Sequence, residues 1–283
     1  MTMTIQHLKS AGAALALGLM AQTALGGVAQ AQDRAALLEE HSGGTMILGA
    51  VSAAGTIDPH VNYTAEFWQV FQMLYDGLVK FKQASRAEGY EIVPDLAEAI
   101  PEPQDGGKTY VFKLRDGIKF ADGSDVTTED VVASFQRIFK INGPTSGSFY
   151  NNIVGADKCL ADAASCTLEG GIVADEDAGT VTFHLVQPDS EFFDKLAVPH
   201  AVILPAETAA TDAGTDYIPG TGAYMIESYD PNDQMVMVRN PEFKEWSVGA
   251  QPQGFPDEIV YRFGMNEESV SYTHLTLPTK RIV

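Results

Sequence analysis

Basic side chains are scarce in this sequence. Lys and Arg number 18 against 38 Asp and Glu, a formal net charge of −20 over 283 residues. Nucleic-acid binding needs clustered Lys and Arg to meet phosphates, so that class of partner is excluded. An anionic membrane surface is disfavoured for the same reason. Cysteine is scarcer still, with two residues, Cys159 and Cys166. Two thiols cannot complete a structural zinc site, which takes four ligands. No apolar run reaches the roughly 20 residues that a helix needs to cross a bilayer.

Catalytic patterns are missing as well. The six histidines form no H-E-x-x-H or H-x-H pattern, which argues against a metalloprotease. No G-x-S-x-G nucleophile elbow occurs. Gly220-Thr221-Gly222 begins like a dinucleotide loop, but Met225 stands where the third glycine belongs, so it reads as a tight turn. The acidic run Asp175-Glu176-Asp177-Ala178-Gly179 lacks the register of a calcium loop and reads as a surface turn. No metal and no cofactor are expected.

What is present begins with an address. Residues 1–31 carry one charged side chain, Lys9, then an apolar run from Ala11 to Leu25, then Ala29-Gln30-Ala31. A short apolar stretch followed by small-x-small is the pattern of a secretory signal peptide. Cleavage after Ala31 removes Lys9 and leaves a charge of −21. No Cys follows the cleavage site to take a lipid anchor, so a soluble exported protein is expected. Export makes the cysteines readable. Cys159 and Cys166, seven apart, favour a small-loop disulfide over two free thiols in an oxidising compartment.

Hydrophobic residues make up 45% and charged residues 20%, ordinary for a globular chain long enough for about two domains. Thr45–Val51 reads as a buried strand. In Glu66–Val79, Phe67, Val70, Phe71, Leu74 and Leu78 recur at spacings of three and four, an amphipathic helix ending near Asp76-Gly77. Tyr110–Leu114 reads as a strand, with Ile118–Phe120 as its short partner across Arg115-Asp116-Gly117. Thr127 opens a helix whose first turn holds Glu129 and Asp130, matched to the positive helix end. Its buried stripe is Val131, Val132, Phe135, Ile138 and Phe139. Thr180–Val186 and Glu258–Phe263 read as strands, Glu191–Leu196 as a short helix, and Tyr224–Tyr229 with Met235–Arg239 as a hairpin. Mixed strands and helices give an α/β or α+β class.

The stretch Lys108–Val131, KTYVFKLRDGIKFADGSDVTTEDV, resembles the signature of the family 5 extracytoplasmic solute-binding proteins, the peptide-binding components of ABC importers. Other family marks follow in order: Ile57-Asp58-Pro59-His60, Leu74-Tyr75-Asp76-Gly77-Leu78, Val93-Pro94-Asp95-Leu96-Ala97, Gly220-Thr221-Gly222-Ala223-Tyr224 and Arg239-Asn240-Pro241-Glu242-Phe243. Ala223 stands where the family often has Pro. The resemblance spans about Thr45 to Met265. It implies an α/β, two-lobed periplasmic binding protein type II fold with an inserted small lobe. Solute is trapped in the cleft when a hinge closes.

The resemblance also implies a function without chemistry: a monomer that binds peptides, or another small solute such as a nickel chelate, an oligosaccharide or an opine, and hands it to an ABC permease in the inner membrane. An exported hydrolase is the competing class. Candidate ligand contacts by position in the family are the loop after the first strand, Val51, Ser52, Ala53, Ala54 and Gly55. Ser148, Phe149 and Tyr150 form a second set, and Gly220, Gly222 and Tyr224 a third. Lobe packing competes with ligand contact for Phe149 and Tyr150, and turn geometry competes for Gly220 and Gly222.

Family members run to roughly twice this length. Residues 33–60 and 172–269 are assigned to the large lobe, incomplete because the second large lobe is missing, and 61–171 to the insert. The tail, residues 270–283, holds no acid and the adjacent bases Lys280-Arg281. It reads as foreign read-through rather than a natural terminal strand.

Overall fold

The computed structural model describes residues 34–53 and 55–265. The expected signal peptide, the tail at 270–283 and Ala54 lie outside the described residues. The described chain falls into two compact units. The smaller comprises residues up to Gly44 together with Phe255–Asp257. Its helix α1 runs through residues 34–41. Gly43 N donates to Phe255 O and Asp257 N to Gly44 O, each at 2.9 Å, and the His41 ring stands edge-on to Phe255.

The larger unit holds nine strands among the described residues. Strands β1 (Thr45–Gly49), β7 (Tyr224–Tyr229), β8 (Gln234–Arg239) and β9 (Glu258–Arg262) form a sheet of order β1-β9-β8-β7. β1 is parallel to β9; β8 is antiparallel to both β7 and β9. So β1, β9 and β7 point the same way. Helix α2 (Ala65–Leu74) covers one face. Its stripe Phe67, Val70, Phe71 and Leu74 forms one core with Ile226, Met235, Met237 and Ile259. The i, i+3, i+4, i+7 spacing puts these four side chains over the sheet.

Helix α2 ends at Leu74, two residues before Asp76, short of the end expected near Asp76-Gly77. Tyr75 is extended, at φ −133° and ψ 155°. Its hydroxyl donates to Ile218 O at 3.0 Å, and the Asp76 carboxylate accepts from Lys80 and Thr221. These tertiary bonds draw the chain out of the helix, and Val79 enters β2 (Val79–Phe81), which pairs with β3 (Ile92–Pro94). β1 also departs from expectation. It is a sheet edge, not a buried strand, and Met46 and Ile47 are 47% and 56% exposed.

A second core is built on the antiparallel sheet β4-β6-β5: β4 (Thr109–Lys113), β5 (Ile172–Asp175) and β6 (Thr180–His184). Helices α3 (Thr128–Lys140), α4 (Ala156–Ala161) and α5 (Phe192–Leu196) contribute Phe135, Ala156, Phe192 and Leu196 to it. The boundary expected at 171/172 cuts through this sheet, because β5 and β6 follow it yet pair with β4. The residues of α2, expected in the insert, pack instead on the first sheet. Ile118–Phe120 is no strand; only Lys119 makes an isolated bridge, to Asp125, and β4 takes β6 as its neighbour.

Helix α3 starts where its cap predicts. Thr127 and Asp130 form a reciprocal capping box. Its polar residues do more than face water. Asp130 Oδ1 accepts from Ala206 N at 2.7 Å, Ser134 bonds Leu204 N at 2.9 Å, and Arg137 Nε donates to Ala209 O at 2.8 Å. Spacings of four and three place these side chains on one stripe, which stitches the segment from Leu204 to Ala209 along the helix. A disulfide joins Cys159 on α4 to Cys166.

Candidate ligand-facing site

In open α/β sheets, ligands sit beyond the carboxyl ends of the parallel strands. Here that place is where β1 and β9 run out side by side. Ala50 N donates to Arg262 O at 2.8 Å, Gly264 N to Val51 O at 3.1 Å and Met265 N to Ala50 O at 3.0 Å. These bonds carry the parallel pairing past both strands and hold the 50–53 loop against 262–265. Val51 is 76% exposed at its tip. The space between Ala50, Ser52, Glu66, Phe67 and Tyr261 is only about 10 Å³, roughly the room one water needs. The loop therefore presents an open wall, not a closed pocket.

Aromatic side chains gather at the same end. Tyr229 closes β7 and meets Phe263 edge-on at 5.9 Å, and Tyr261 lies 6.0 Å from Phe263. The Tyr229 hydroxyl is buried with no hydrogen-bond partner, and burial raises its pKa. Strand alternation carries no sign of this cluster, because it depends on which strands end together.

The other candidate residues are placed elsewhere. Gly220, Gly222 and Tyr224 precede or open β7, so they lie at the opposite end of that strand from Tyr229. A Cβ on Gly220 would run into Leu74 O, and one on Gly222 into Met73 O. Both glycines let the turn pack against the end of α2, which is the turn-geometry reading. Tyr224 is buried, with the Arg239 guanidinium 5.3 Å from its ring centre. Tyr150 is a core residue: it meets Phe135 edge-on at 5.3 Å and its hydroxyl donates to Lys195 O at 2.9 Å. Burial raises its pKa far above the phenol range. Phe149 packs partly against the same core, and Ser148 is exposed. The sheet topology thus leaves Val51, Ser52 and Ala53, with Gly55 beyond them, as the group at the carboxyl end of β1.

Among the described residues no cluster of His, Cys, Asp or Glu could hold a metal ion. The two buried histidines are committed. His60 Nε2 bonds Val202 O at 3.0 Å and Nδ1 faces Arg137, while His200 Nε2 bonds Asn62 O at 2.8 Å. Burial, aided by the Arg137 charge, holds His60 down to about 3. A neutral ring with both nitrogens occupied positions backbone; it moves no proton.

The chain belongs to the bacterial extracellular solute-binding proteins, family 5, whose middle region matches residues 91–275. It is 31% identical over 205 residues to the probable D,D-dipeptide-binding periplasmic protein of Escherichia coli, covering 70% of this chain and 36% of that relative. It is 28% identical over 238 residues to the periplasmic oligopeptide-binding protein of Salmonella typhimurium, covering 81% and 42%. Among solved structures, clavulanic acid biosynthesis oligopeptide binding protein 2 superposes with a TM-score of 0.69 at 24% identity, covering 82% of this chain and 42% of that one. The chain thus spans about two fifths of the length of the relatives it matches.

Proposed function

We propose that this chain is part of an exported binding protein that holds di- or oligopeptides between two lobes and delivers them to an ABC permease in the inner membrane. Membership of family 5, with relatives named for dipeptides and oligopeptides, carries this reading. The 50–53 loop, at the carboxyl end of a parallel strand pair, is the part of the cleft wall this chain supplies. Main-chain groups on such a loop suit a ligand recognised through its own backbone, as in strand addition. The function is binding without turnover, in the periplasm, by a monomer. Among the described residues no helix is long and apolar enough to cross a membrane.

A second reading keeps the fold and changes the solute. A relative 29% identical over 211 residues is named a probable deoxycholate-binding periplasmic protein, so ligand class varies at this level of similarity. Mass spectrometry of small molecules released on denaturing the protein at its relatives' full length separates the readings. Released peptides are expected. A steroid, a metal chelate or a sugar in their place would overturn the peptide assignment, and hydrolysis of added peptide would overturn the binding role.

A further inference from the structure

Where the two cores meet, the structure buries two carboxyl groups and one ammonium. Asp76 follows α2, Lys80 lies in β2 and Asp95 follows β3; Asp76 and Asp95 are fully buried and Lys80 nearly so. The Lys80 ammonium spends its donors on Gln72 O at 3.0 Å, Tyr75 O at 3.2 Å and Asp76 Oδ1 at 3.0 Å. Asp76 Oδ2 accepts from Thr221 Oγ1 at 2.7 Å. Asp95 Oδ1 accepts from the Trp246 indole at 2.9 Å, and its main-chain O accepts from Arg115 Nε at 2.7 Å. Asp95 Oδ2 is buried and accepts nothing.

Charge counting decides what that orphan oxygen is. Two ionised carboxylates beside one ammonium would leave a net negative charge sealed from water, which is strongly unfavourable in a low-dielectric site. Two carboxyls in one site relieve this by keeping a proton on one of them. Asp76 is the natural carboxylate, since Lys80 and Thr221 both donate to it. Asp95 is the natural acid, since its free oxygen has no donor and Asp76 is its neighbour in charge and side-chain hydrogen bonding. The titratable and charged groups facing Asp95 are Asp76, Lys80 and, through the main chain, Arg115. Burial first, then the Asp76 charge, raise the Asp95 pKa well above 3.8, against the weaker opposing pulls of Lys80 and the Trp246 bond.

We propose that Asp95 is a protonated carboxylic acid at neutral pH, donating its proton to Asp76, and that this pair is an alkali-sensitive latch at the junction of the two cores. The latch ties together the end of α2, the β2–β3 pair, the turn at Thr221 and the Trp246 segment. Losing the proton to solvent sets two like charges against each other and admits water beside Trp246. The sign follows from the raised pKa. The latch's contribution is complete below the ordinary carboxylate range and declines as pH rises to the folded-state value.

The test uses infrared spectroscopy and fluorescence on the 283-residue chain. Trp68→Phe leaves Trp246 as the single tryptophan. At neutral pH the parent should show the carbonyl stretch of a protonated carboxylic acid, and Asp95→Asn should lack it. Raising the pH should abolish the band and red-shift Trp246 emission in one transition of about one proton. Asp95→Asn, whose amide can still donate to Asp76 and accept from Trp246, should show neither change. Absence of the band in the parent at neutral pH would overturn the latch, whether or not Asp95→Asn folds. A band that survives Asp95→Asn would overturn it too. If the variant does not fold, coincidence of band loss and Trp246 shift in the parent supports the latch, and separate transitions refute it.

Discussion

Arg137 joins α3 to Asp58 and to the segment from Ala209 to Thr211. Its two terminal nitrogens pair with both oxygens of Asp58, and it also reaches Ala209 O and Thr211 O. Both side chains are buried. Burial pushes the Asp58 carboxyl up, but the Arg137 hydrogen bonds and charge outweigh it and hold it below 3.8. Arg137→Met should cost about 3–5 kcal/mol in denaturant unfolding, because it leaves a buried carboxylate without its cation. Acid should destabilise the same site. His60 has a lowered folded-state pKa, so the unfolded chain binds its proton first. Its contribution is complete above about 6.5 and is lost toward about 3, at about 1.4 kcal/mol per pH unit for one proton. His200 and Asp58 are lowered too and lose stability in the same direction. His60→Gln should therefore flatten, not abolish, the fall in unfolding midpoint from pH 6.5 to 3; an unchanged slope would contradict the assignment. None of this pairing was legible in the sequence. Asp58-Pro59-His60 stands in the sequence only as part of a family mark, and its partner lies 79 residues away.

At the scale of elements, legibility tracked how local the determining forces are. Helix α3 was readable because its cap and its apolar stripe lie in one stretch of 13 residues. The β7–β8 hairpin was readable from its Asp-Pro-Asn-Asp turn. The three-residue strands β2 and β3 were not, since three residues carry no period, and their pairing rests on the buried cluster around Asp76. β5 was missed because only β6 and α3 make a place for it. The expected partner of β4 was the next apolar triplet in sequence, whereas the real one comes 67 residues later, at Thr180 opposite Lys113. The disulfide is the exception, a local link in a region of short elements. It closes a seven-residue separation between α4 and Cys166. Replacing both cysteines with serine should lower stability by roughly 2–3 kcal/mol in the chain-entropy model. Reductant should lower the melting temperature of the parent by a similar equivalent and leave the double variant unmoved. A parent insensitive to reductant under denaturing conditions would mean that the link stabilises nothing.

At the scale of the molecule, the question is what one wall of a cleft can do. The carboxyl ends of β1 and β9 present main-chain groups on an exposed loop, but the space beneath it holds about one water and the surface above it is open. A peptide laid there would exchange hydrogen bonds with water for hydrogen bonds with the loop, a net gain of only about 0.5–1.5 kcal/mol each. It would also lose translational and rotational freedom worth about 4 kcal/mol or more. On the proposed reading, affinity comes from enclosing the ligand between two lobes, and about three fifths of the length of the matched relatives lies outside this match. The 283-residue chain should therefore show no saturable heat with a mixed pool of di- to pentapeptides in titration calorimetry at millimolar peptide. The protein at its relatives' full length should bind members of the same pool. Replacing Val51 with Pro in that longer protein should weaken binding at least several-fold without unfolding it, because the exposed loop loses a main-chain donor at its tip while its bond from Gly264 N to Val51 O is kept. Micromolar binding by the short chain would show that the wall suffices alone. Unchanged affinity in the proline variant would place the ligand away from the end of β1.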